Sequence, residues 1–65
     1  MGEQLIYDSV GHVIGRMVTL VNGDVQVYNA TGQYLGFAAK AVQMTYDSVG
    51  RVVAQGFAPA ILLKG

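Results

Sequence analysis

Sixty-five residues, with four basic and four acidic side chains, zero formal net charge and 52% hydrophobic against 12% charged residues, make one small domain. A chain this short buries only about 60% of the surface its unfolded form exposes, so its own core is marginal. With no cysteine and one histidine, disulfides and a Cys/His metal cluster are excluded as staples, and the lack of a basic face argues against nucleic acid or an anionic membrane as partner. A chain so apolar and weakly charged does not cover itself well, which predicts association with copies of itself, or else with one protein partner.

The chain opens on "MGEQLIYD", which lacks the basic start and apolar run of a signal peptide, and no segment approaches the ~18 apolar residues of a membrane span. The expectation is a protein of the cytoplasm or of a virion or similar particle, without a membrane segment. The first structural signal is "YDSVG" at Tyr7 to Gly11; it recurs at Tyr46 to Gly50, with a relaxed copy, "YNATG", at Tyr28 to Gly32. Aligned on the tyrosines, the copies read "YDSVGHVIG", "YNATGQYLG" and "YDSVGRVVA", a period typical of one supersecondary unit used several times.

Each copy reads as a β-hairpin. Asp8, Asn29 and Asp47 suit the opening of a type I turn, and Gly11, Gly32 and Gly50 suit the left-handed position of a three-residue loop with a G1 bulge at that glycine. Between the first two copies, Asn22-Gly23 predicts a two-residue turn, with Leu20 opposite Val25 and Val18 opposite Val27. Continuing that register places Ile6, Ile14, Val18, Leu20, Val25, Val27, Leu35 and Phe37 on one face. Tyr7, Tyr28 and Tyr46 fall diagonal to Gly15, Gly36 and Ala54 on the other, where each ring would cover a bare backbone. Residues 36–42, "GFAAKAV", are a connection with room for a short helical turn. Beyond Pro59, the segment Ala60 to Leu63 reads as an edge strand or a single helical turn, and its apolar Ile61, Leu62 and Leu63 predict docking on a neighbouring subunit.

The predicted fold is therefore all-β: an antiparallel meander of five to six short strands, closing as a small barrel or stacking into a sheet shared between subunits. The repeats occupy about 3–20, 24–38 and 42–56, followed by a docking segment at 57–65. The repeated "YDSVG" resembles the YD repeats of Rhs-type and teneurin shells. That resemblance implies a spiralling sheet of hairpins that encloses or scaffolds something, with no catalytic residues to carry over. The opening "LIYDSVGHVIGRMVTL" is similar to the first hairpin of PRC-barrel domains, which implies a small β-barrel adaptor.

For chemistry the sequence offers little. The acidic turn residues have a structural role in their turns, which is preferred to metal binding. His12 has no nucleophile or second carboxylate in a catalytic order, so the expectation is no enzyme and no cofactor. The sequon Asn29-Ala30-Thr31 is explained by its turn, and the tyrosine stripe by packing more readily than by stacking on bases or sugars. Val10 and Val49 are less easily explained, because a β-branched apolar residue at a turn tip faces water. They join Ile61 to Leu63 as candidate assembly contacts. The reading favoured is a non-enzymatic, self-associating scaffold protein, with an adaptor barrel as the alternative.

Overall fold

The computed structural model describes residues 2–63, and residues 64–65 of the expected docking segment lie outside the described residues. The elements are β1 (Gly2–Tyr7), β2 (Val13–Thr19), β3 (Val25–Asn29), β4 (Tyr34–Ala39), β5 (Met44–Asp47), β6 (Val52–Gln55) and a 3₁₀ helix at Pro59–Leu63. The strands form one antiparallel sheet in the order β1-β2-β3-β4-β5-β6, a pure meander. β1 and β6 lie at opposite edges, so the sheet is open and the barrel form of the expectation is not adopted.

The three repeat turns are built alike. Asp8 Oδ1 accepts from the N–H of Val10 at 3.0 Å and of His12 at 2.9 Å. Asn29 Oδ1 accepts from Thr31 and Gln33, and Asp47 Oδ1 from Val49 and Arg51, at the same distances. One side-chain oxygen thus satisfies two N–H groups that a tight loop leaves without a backbone partner. Gly11, Gly32 and Gly50 sit at φ of 92°, 89° and 89°, where a Cβ would be strained.

The register differs from expectation in two ways. The turn at Asn22-Gly23 holds three residues, since the N–H of Leu20 donates to the carbonyl of Asp24 at 2.8 Å and Gly23 alone takes positive φ. Asn22 Oδ1 accepts from the N–H of Asp24 at 3.0 Å, which supports this three-residue closure. Thr19 therefore faces Val25, and Met17 faces Val27. In addition, every repeat hairpin carries a bulge: Tyr7 faces Val13 but Ile6 faces Gly15, Tyr28 faces Tyr34 but Val27 faces Gly36, and Tyr46 faces Val52 but Thr45 faces Ala54. Ile14, Leu35 and Val53 are the inserted residues. Each insertion shifts pairing by one and exchanges the faces of all that follows.

One face of the sheet consequently carries Ile6, Met17, Val25, Val27, Ala38 and Thr45, while Val18 and Phe37 turn to the other. The 3₁₀ helix packs across this face on β2, β3 and β4, and Val25, Val27, Ala38 and Thr45 are buried beneath it. Of the two forms expected for Ala60 to Leu63, the helical turn is the one adopted, and it docks on its own sheet.

The repeat's small ninth residue has a different cause from ring coverage by its own tyrosine, because the bulge places Gly15 and Gly36 on the face away from Tyr7 and Tyr28. Gly15 lies opposite Asn29 and Gly36 opposite Asp47, so each meets the opening residues of the next hairpin. A Cβ on Gly15 would run into the Tyr28 carbonyl and the Leu63 side chain, and one on Gly36 into the Tyr46 carbonyl. Ala54, the third copy's equivalent, lies on edge strand β6 where no further strand approaches.

Candidate functional site

Strand alternation puts every tyrosine on the face opposite the 3₁₀ helix. The open face is organised by side-chain contacts that run across the strands. Arg16 Nη1 donates to Glu3 Oε2 at 2.8 Å, and its guanidinium lies 4.6 Å from the centre of the Tyr28 ring. Tyr28 meets Tyr34 at 5.6 Å between ring centres, tilted by 57°, and donates its hydroxyl to Gln26 Oε1 at 3.2 Å. Farther along, Phe37 stacks on Tyr46 at 4.9 Å and 15°. An exposed ion pair contributes at most about 1 kcal/mol and an exposed cation–π contact a similar amount, so these contacts chiefly hold the rings in place. Burial, and then the neighbouring Tyr28, push the Tyr34 phenol above its ordinary value.

At the margins of this face Leu5, Tyr7, Val13 and Val52 are exposed. A depression of about 250 Å³ opens between Leu5, Val13 and Arg16 on one side and the turn Asn29 to Gly32 on the other. Its lining is mostly apolar side chain and backbone, with Arg16 the only charged group.

The repeat turns share one end of the sheet, because a meander reverses at every turn. Their tips are Val10, Thr31 and Val49, about 10 Å apart from one hairpin to the next at two strand spacings. Val10 is 73% and Val49 70% exposed. The opposite end also presents valines, Val21 at 88% and Val42 at 58% exposed. Ile61, Leu62 and Leu63 are half-buried against their own sheet.

The polar residue that closes each repeat turn leans on its opener. His12 Nδ1 lies 3.7 Å from Asp8 Oδ2, Gln33 Oε1 accepts from Asn29 Nδ2 at 3.1 Å, and Arg51 Nε lies 4.0 Å from Asp47 Oδ2. The His12 side chain is 80% exposed. Among the described residues no group of three or more His, Cys, Asp or Glu is placed to hold a metal ion, and none of their helices is long and apolar enough to cross a membrane.

Thr45 is the buried polar residue that sequence reasoning missed. Its hydroxyl donates to the Gly56 carbonyl at 2.8 Å and accepts from the Ala58 N–H at 3.0 Å, pinning the segment that leads into the 3₁₀ helix. The signal was present in the repeat: the residue before the tyrosine is Ile6, Val27 and then Thr45, a hydroxyl where the pattern asks for an apolar side chain. No protein-family model matches the chain, and neither a curated protein nor a solved structure matches it.

Proposed function

We propose that the protein is a non-enzymatic structural or scaffold component that acts by associating with copies of itself. The observation that carries this reading is the imbalance of its apolar surface. Among the described residues, only Val25, Val27 and Ala38 form the buried apolar core, while eleven large hydrophobic side chains are exposed. At about 25 cal/mol per Å² of apolar surface removed from water, covering part of that exposed surface adds appreciably to what so small a core supplies. Sedimentation velocity at micromolar concentration is expected to show a dimer or larger species; a folded monomer throughout the range overturns the proposal.

The arrangement of repeats bears on how copies would join. Extending the sheet from β6 of one copy to β1 of the next in the register of Gly15 with Asn29 would set Ala54 against Asp8. The methyl of Ala54 would then meet the Tyr7 carbonyl, just as a Cβ at Gly15 or Gly36 would meet the carbonyl of Tyr28 or Tyr46. β6 also has only four residues, and short edges resist strand addition. Association through faces or tips is therefore favoured over head-to-tail sheet growth.

A second reading, an adaptor module for one protein partner, draws support from the 3₁₀ helix closing one face within the chain. Because that segment packs on its own sheet, deleting it is expected to destabilise the fold under both readings. The mass in solution is what separates them.

A further inference from the structure

We infer that the open aromatic face is the surface on which a second copy of this chain stacks, sheet against sheet. The inference rests on the self-association proposed above and specifies its surface and geometry. Three observations lead to it.

The first is composition. Tyr7, Tyr28, Tyr34, Tyr46, Phe37 and Met44 share the face, with the Arg16 guanidinium 4.6 Å from the centre of the Tyr28 ring. Tyrosine, other aromatics, methionine and arginine are the side chains enriched at protein interfaces and among the residues that dominate binding energy there. Rings already fixed in pairs lose little freedom when covered.

The second is charge. Apart from Glu3 and Arg16, the described charged residues lie in the turns or, at Asp47, at the end of β5 opposite Gly36 on the other face, and those two pair with each other at 2.8 Å. A neutral face holding one charge of each sign is complementary to itself under two-fold symmetry, where Glu3 of one copy meets Arg16 of the other. It does not match a strongly acidic or basic partner.

The third is size. The fold measures 33 × 24 × 19 Å, and its two longer dimensions span about 790 Å². A specific dimer buries about 800 Å² per partner, so a molecule of this outline offers a face of the order that one partner copy needs. The opposite face is already closed by the 3₁₀ helix, which leaves this face as the unpartnered layer of a two-sheet sandwich with sheets about 10 Å apart.

The test is sedimentation equilibrium on the full chain, with folding checked by circular dichroism. Leu5 and Val52 are 48% and 51% exposed on opposite sides of the face, so Leu5→Lys with Val52→Lys leaves the monomer fold intact while setting like charges across the stack. The expected result is a wild-type mass of twice 6.9 kDa and a dissociation constant raised at least about 100-fold in this variant. Val10→Lys with Val49→Lys, at the tips, is expected to change it by no more than about threefold. Association that survives the face variant overturns the face assignment while leaving self-association standing. A wild-type chain that is monomeric throughout overturns both.

Discussion

The two faces of this sheet solve the same problem in opposite ways. On the face under the 3₁₀ helix, small residues at Gly15, Gly36 and Ala38 let neighbouring backbones and the helix approach closely, and a single hydroxyl, Thr45, satisfies the backbone beneath. On the other face, large rings stand in cross-strand pairs, covered by each other and, at Tyr28, by Arg16. Among the described residues the 3₁₀ segment closes one face and no element packs over the rings of the other, so the second is left in a form that another layer can cover.

Variants that exchange the character of the two faces test this contrast. The largest effect is expected from Gly36→Ala, because the residue sits at φ 145° and its Cβ would meet the Tyr46 carbonyl. Strain and overpacking together cost about 3 kcal/mol or more, read as a loss of midpoint in urea unfolding. Thr45→Val comes next, leaving the Gly56 carbonyl and Ala58 N–H without their partner. A loss of about 2 kcal/mol is expected, together with faster amide exchange across residues 56–63. A stability equal to wild type would show that the hydroxyl does not hold the helix.

Smaller effects are expected away from the closed face. Asp8→Ala removes one acceptor that serves two exposed turn N–H groups and is expected to cost about 1 kcal/mol, whereas Asp8→Asn, with the same oxygen, should cost little. On the open face, the Tyr34 phenol is expected to ionise above the usual ~10, because burial and Tyr28 favour its neutral form. The stability tied to that neutral form is intact below the ordinary value and declines as pH rises through the raised one. Phenolate absorbance in wild type against Tyr34→Phe reads it directly; a Tyr34 that titrates with the free phenol would show that the face does not shield it.

The turns were the most legible part of the fold. Asp or Asn followed three positions later by Gly predicts hydrogen bonds within five residues, and Asp8, Asn29 and Asp47 make them at nearly identical distances. Which face each strand residue takes was not legible, because it depends on counting every residue between turns. The bulges at Ile14, Leu35 and Val53, together with the extra turn residue before Asp24, each shift that count by one. A signal for the bulges was present: two adjacent apolar residues after the turn, Val13-Ile14 and Val52-Val53, interrupt strict alternation. The docking of Ile61 to Leu63 on their own sheet was beyond reach from the sequence, since an apolar tail fits a partner's groove as well as its own.

The central claim is that one face is closed within the chain and the other by a second copy. A dilution series of amide and tyrosine-ring resonances, from millimolar to low micromolar protein, tests it most directly. Concentration-dependent shifts are expected at Leu5, Arg16, Tyr28, Tyr34 and Tyr46, with Val10, Val49 and residues 59–63 unchanged. Shifts confined to the turn tips or to the 3₁₀ helix, or none across the range, would contradict it.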